Sequence, residues 1–206
     1  NFENQSLSID VSLHIGSFIA VITYFREEIL NFVKNKELFF KIFLSSIPVM
    51  IFGFLLVKFE LIDQFRNLQV IGWTTIIFGI LLYISDKFSI ENKIENNFTI
   101  KSALIIGIFQ IFSLIPGVSR SGITISAARI LKFNRYDSAK ISFLLSIPTL
   151  AAVSFFGFKD LAISNNLDFS ILNLTSIILS FIFSLITIKF FLNYMRNFNL
   201  NFFVIY

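Results

Sequence analysis

Apolar positions along this chain gather into six long blocks separated by short charged connectors. The first block runs from about Val11 to Phe25 and is interrupted only by small polar residues and His14. The second runs from about Leu38 to Val57 around Pro48, and the third from about Leu68 to Ser85, with Trp73 placed near its start like an interfacial anchor. The last two cover about 141–158, around Pro148, and about 169–192. Most of these blocks are close to the ~20 residues that a helix needs to cross a hydrocarbon core. The blocks therefore predict five spanning helices. Lys41 lies near the end of the second, where its long side chain can snorkel to the headgroups.

The remaining block, about 100–132, follows a different pattern. It is apolar at both ends, but Pro116-Gly117 and Ser119-Arg120-Ser121-Gly122 break it in the middle. Proline removes a backbone donor and glycine frees the backbone, so one continuous helix is disfavoured. Two short helices joined by a polar turn fit better, as a re-entrant hairpin or broken helix. Such backbone is tolerated at membrane depth only where it is buried in protein or lines a cavity. Pro116-Gly117 ends the first half-helix. Ser119 is the expected N-cap of the second, running from about Arg120 to Leu131.

Composition agrees with a membrane protein. Of 206 residues, 55% are hydrophobic and only 15% charged, against about 25% in a soluble domain, and the mean hydropathy is +0.79. The expected fold class is an all-α integral membrane protein, a polytopic helix bundle forming one domain over 1–206. The net charge of +4 sits mostly between the apolar blocks, which reads as topology and lipid contact rather than nucleic-acid binding. If the broken block enters and leaves on one face, that face collects thirteen basic residues and the other three; if it spans fully, the split is even. The positive-inside rule prefers the first arrangement, with the hairpin entering from the cytoplasmic side. There is no cysteine, so thiolate and disulfide chemistry are excluded. Asn1 to Asp10 lacks the basic start of a signal peptide. The missing initiator methionine and the short apolar stretch ending at Tyr206 suggest truncation at both ends.

The chemistry concentrates in the polar break. An arginine at membrane depth costs roughly 2.5–3.5 kcal/mol on insertion scales, so Arg120 calls for a partner or a task. A helix starting at Arg120 offers unpaired N–H groups and a positive dipole end to an anion, and the guanidinium adds a fixed charge and a bidentate fork. Ser119, Ser121 and Thr124 add hydroxyls, Thr124 one turn into the helix. Gly117 frees the backbone, and Gln110 can add an amide contact. This constellation suits a phosphate. The competing reading is that Ser and Gly permit close helix packing while Arg120 pairs with a distant carboxylate. Elsewhere the plainer readings hold. His14 is expected in a hydrogen-bonded packing role, Ser45, Ser46, Ser142 and Ser146 in contacts between helices, and Glu27, Glu28 and Glu37 on a solvated connector.

The stretch from Gln110 to Thr124, with Pro-Gly-Val-Ser-Arg-Ser-Gly-Ile-Thr, resembles the second signature of the undecaprenyl-diphosphate phosphatase family of the bacitracin-resistance type. Ser142-Phe143-Leu144-Leu145-Ser146-Ile147-Pro148 resembles the helix that follows it. Asp10 to Phe25 resembles the family's first full span, with His14-Ile15-Gly16-Ser17 where the family usually has Gln-Leu-Gly. The resemblance covers essentially the whole chain. It implies a bacterial multi-pass enzyme of the plasma (inner) membrane that hydrolyses the C55 polyprenyl diphosphate carrier of cell-wall synthesis to its monophosphate. It also implies an inverted-repeat fold, a divalent cation (Mg or Ca) as cofactor, and a site thought to face the periplasm. The partners it implies are the polyprenyl diphosphate lipid and the bilayer, with a homodimer admitted and no nucleic acid. By motif, Ser119, Arg120 and Ser121 carry over as catalytic residues, with Gly117, Thr124 and Gln110 as substrate-binding residues. A serine would be nucleophile or hydrogen-bond donor.

The family's first signature, a glutamate-rich segment ending in Pro-x-Ser-Ser-x-Gly-His, has no counterpart here, and His14 does not match its histidine. The acidic half of the site, which would bind metal or move protons, is therefore expected outside these residues, and no metal ligand is assigned within them. A transporter or flippase of a phosphorylated lipid is the alternative function, because broken helices at the midplane are common in transporters. A membrane subunit without chemistry is the third, in which Ser119, Arg120 and Ser121 would tolerate replacement.

Overall fold

The computed structural model describes residues 2–32, 36–59, 67–88, 92–163 and 171–205. Their helices are α1 (Phe2–Tyr24), α2 (Arg26–Phe32), α3 (Lys36–Lys58), α4 (Leu68–Asp86), α5 (Ile94–Asn97), α6 (Ile100–Ile111), α7 (Arg120–Ile130), α8 (Arg135–Ile163), α9 (Ile171–Asn197) and α10 (Asn201–Ile205). The class is all-α, as the hydropathy pattern predicts, with a single β-bridge between Asn92 and Phe133 among the described residues. Lys34, residues 60–66 with Arg66, Glu91, the start of the last apolar block at Phe169, and Asn1 and Tyr206 lie outside the described residues.

Four described helices are long and apolar enough to cross a membrane: α3, α4, Arg135–Gly157 of α8, and α9, with mean hydropathies of 2.2, 1.8, 1.7 and 2.2. Ser8–Tyr24 and Ile100–Leu114 are apolar but shorter. The block from Val11 to Phe25 is thus a helix, and its apolar part is shorter than the other spans. The connector after it is itself helical: Glu27 and Glu28 occupy the first turn of α2, where negative side chains favour the positive helix end. Helices α3 and α8 run through Pro48 and Pro148 without ending.

Contacts divide the chain into two compact units, residues 1–35 with 146–191, and residues 36–145 with 192–206. The first is held by a seam of small residues between α1 and α9. Ser17 Oγ lies 3.0 Å from both Ser180 Oγ and Ser184 Oγ, and Ser180 donates to the Leu13 carbonyl at 2.7 Å. A side chain at Gly16 would collide with the Ile177 carbonyl, which explains the glycine there. His14 is exposed on α1, so the hydrogen-bonded packing role expected for it is not what the fold uses. His14 is two residues, about 200° of helical rotation, from Gly16, whose Cα faces α9.

In the second unit α6 crosses α3 so closely that a Cβ on Gly107 would meet the Ser45 carbonyl. Ser45 and Ser46 are fully buried and return their hydroxyls to their own helix, at Lys41 O (2.6 Å) and Ile42 O (3.1 Å). They therefore serve the helix contact by being small. Lys41 pairs with Glu37 one turn earlier at 3.2 Å.

Candidate functional site at the polar turn

Thr99 begins α6 by accepting the Ser102 amide at 3.2 Å. The helix tightens into a 3-10 turn at Phe112–Leu114 and the chain turns extended at Ile115, one residue before Pro116. Gly117 then takes φ +90°, which favours glycine. Ser119 adopts extended backbone and caps α7, its Oγ accepting the Gly122 amide at 3.2 Å. Helices α6 and α7 pack on each other across this turn. The break, the cap and the start at Arg120 lie where the sequence pattern puts them.

Two threonines of α4 hold the turn. Thr74 donates to the Pro116 carbonyl at 2.7 Å and Thr75 reaches the Gly117 carbonyl at 3.2 Å. Thr74 lies roughly 10 Å along α4 from Leu68, and roughly 18 Å before Asp86. The far end of α7 sits near Asp86, because Arg129 bonds the Asp86 and Phe88 carbonyls. The turn is thus docked inside the length of an apolar helix while α7 ends at that helix's terminus. Thr74 and Thr75 escaped the sequence reading; the signal available was a pair of adjacent hydroxyls in an otherwise apolar block.

Ser119 and Ser121 are exposed, with hydroxyl oxygens 3.2 Å apart, and Arg120 between them is half-buried. The Ser121 amide, one of the first N–H groups of α7, has no backbone acceptor among the described residues. Thr124 faces the other way. It is buried, with its hydroxyl 2.7 Å from Ser142 Oγ of α8 and within reach of the Arg120 and Ser121 carbonyls. Ser142 is accordingly a contact between helices. Gln110 is fully buried on α6, and among the described residues neither atom of its amide has a hydrogen-bond partner. A buried amide without a partner costs about 1–3 kcal/mol.

Glycine at 117 is required twice over. A Cβ there would collide with Thr74 Oγ1 and approach Ile71 O to 2.6 Å, besides straining the backbone. Gly117→Ala is expected to destabilise by about 2 kcal/mol or more, from roughly 1–2 kcal/mol of left-handed strain plus the displaced α4 contact. A lowered thermal midpoint checks this. Adding Thr74→Ala should not restore it, since the Ile71 backbone remains.

The donor set has the chemistry that an anion calls for. Arginine, hydroxyls and amides donate hydrogen bonds, and no carboxylate, histidine or cysteine belongs to Leu114–Thr124. Among the described residues no group of three such side chains could hold a metal ion. The buried carboxylate Asp86 stands at the opposite end of α7 and is already engaged by Arg135. The turn's own residues therefore do not fit a divalent cation as ligands.

The family model described as "Bacitracin resistance protein BacA" matches residues 1–206. A protein of Pelagibacter ubique named undecaprenyl-diphosphatase is 50% identical over 206 residues, covering 100% of this chain and 80% of that protein. Proteins of the same name from Saccharophagus degradans and Aliivibrio salmonicida are 37% and 40% identical, each covering 100% of this chain and 81% of the relative.

Proposed function

This chain belongs to the bacitracin resistance protein BacA family, and on that premise we propose that it is an undecaprenyl-diphosphatase, a multi-pass membrane hydrolase. It releases the terminal phosphate of undecaprenyl diphosphate and returns the monophosphate carrier to cell-wall synthesis. Water is consumed and the phosphoanhydride bond between the two phosphorus atoms is broken. Its membrane is the bacterial inner membrane.

The observation that carries the reading is the N-terminus of α7, where Ser119, Arg120 and Ser121 converge on one exposed turn. In this reading α6 and α7 form a re-entrant hairpin, one half of an inverted repeat, and its docking at Thr74 and Thr75 supports burial of the turn within the bilayer. The Arg120 guanidinium balances charge on the diphosphate and orients it by two parallel hydrogen bonds. The Ser121 amide and hydroxyl donate to the phosphate oxygens. Ser119 caps α7 by accepting the Gly122 amide and so fixes the first turn, which carries the Ser121 amide. Thr124 acts through packing, by fixing α7 to α8, while Gln110 offers the amide contact that the fold leaves unused. A divalent cation would find its ligands beyond this turn, and no step here is routed through it.

The test is phosphate release from undecaprenyl diphosphate by the full-length protein in detergent, followed by transbilayer movement of the same lipid in liposomes. Stoichiometric release of phosphate is expected, with Ser121→Ala lowering kcat about tenfold. Lipid movement without any phosphate release would replace the hydrolase with a flippase.

A further inference from the structure

A polar cavity lies at the other end of α7, nine residues beyond Arg120 and so about 13 Å along the helix. Its volume is about 740 Å³, within the range of ligand pockets. All its described lining belongs to the second unit, around the ends of α4, α7 and α9 and the starts of α8 and α10. Its ionisable lining is one-sided. Among the described residues the lining carries Lys87, Arg129, Arg135 and Arg196 and one carboxylate, Asp86.

That carboxylate is shared. Arg135 grips Asp86 with both arms of its fork, Nε to Oδ1 at 2.7 Å and Nη2 to Oδ2 at 3.0 Å. Arg129 Nε stands 3.5 Å from the same Oδ1. At the mouth two cations lie over aromatic rings, Lys87 Nζ 4.3 Å from the centre of Tyr83 and Arg196 4.6 Å from that of Tyr136. The charged ends themselves sit against the rings, which fixes both cations in the lining of the cavity. Phe88 on the rim, and Phe198 and Phe202 beside it in sequence, are exposed. Cations at the floor and mouth of a cavity at helix ends, edged by exposed aromatics, match a phosphate carrying acyl chains.

The geometry points to this cavity as a second phosphate-binding site, separate from the diphosphate turn, whose occupant is the headgroup of an anionic phospholipid. Basic pockets between membrane helices take such headgroups. The ligand chemistry is a phosphate anion held by guanidinium and ammonium groups, and the exposed phenylalanines select the lipid over the free ion.

Native mass spectrometry of the full-length protein, titrated with dioleoyl-phosphatidylglycerol or dioleoyl-phosphatidylcholine, tests this. The glycerol lipid is expected to bind at least tenfold more tightly. The double variant Lys87→Gln/Arg196→Gln should lose that preference while keeping its lipid-free melting temperature. Lys36→Gln/Lys58→Gln removes two cations elsewhere and should change nothing. Calorimetry with inorganic phosphate separates the two sources of the group. Heat that Lys87→Gln/Arg196→Gln abolishes, with the two lipids equal, retains the phosphate pocket and assigns it to the free ion. Equal lipids with no phosphate heat, or equal losses in both double variants, would overturn the site.

Discussion

Arg120→Ala in the full-length protein lowers kcat/KM for undecaprenyl diphosphate by about 10²–10³-fold, the range seen when one preorganised charge-stabilising donor is removed from a buried site. The size of the effect follows from location. Arg120 opens α7, so its guanidinium adds to the positive end of the helix and to the Ser121 amide, which has no backbone acceptor among the described residues. Arg120 itself is half-buried, and a charge interaction there is worth more than at a fully wet surface. Arg120→Lys keeps the charge and loses the planar fork, so it should recover only part of the loss. The KM–kcat split distinguishes roles: a residue that only holds substrate raises KM, whereas one that stabilises the reacting phosphate lowers kcat. Activity close to that of the unsubstituted protein would remove Arg120 from the site.

The polar turn was legible in the sequence because its signals are local. Pro116-Gly117 stops a helix, Ser119 caps the next, and the spacing between them leaves no room for another element. What holds the turn was not legible. Thr74 and Thr75 sit in a block whose neighbours Ile71, Trp73, Ile76 and Ile77 are exposed, and periodicity alone does not say which apolar helix receives a distant loop. Thr124 shows a related limit. Its place one turn after Arg120 suggests a shared face, yet the short hydroxyl reaches back to the backbone and across to Ser142. Ser45 and Gly107 were readable as small residues, but only the crossing of α3 and α6 shows which backbone needs the room. The acidic residue of greatest structural weight was hidden by distance. Asp86 lies 43 residues before Arg129 and 49 before Arg135, and in sequence all three look like ordinary connector charges.

Asp86 also carries the largest stability effect expected of a single side chain here. Its carboxylate is only 4% exposed and accepts three hydrogen bonds, two from Arg135 and one from the Leu200 amide at 3.1 Å, with Arg129 in ionic contact. It therefore ties the end of α4 to the start of α8 and the approach to α10. Asp86→Ala leaves the buried Arg129 charge without this carboxylate and strips the Leu200 amide of its acceptor. Removing one partner of a buried ion pair costs about 3–5 kcal/mol. Arg135 is 36% exposed and can turn to solvent, which puts the expected loss near the lower end, about 3 kcal/mol. For a chain of this size that corresponds to a fall of roughly 6–12 °C in thermal midpoint. The partner test is sharper than the single variant. If the cost is the stranded Arg129 charge, Asp86→Ala/Arg129→Met should be more stable than Asp86→Ala alone, even though Arg129 also bonds the Phe133, Asp86 and Phe88 carbonyls. Strictly additive losses in the two single variants would mean that the carbonyl contacts, rather than charge balance, dominate at this helix end.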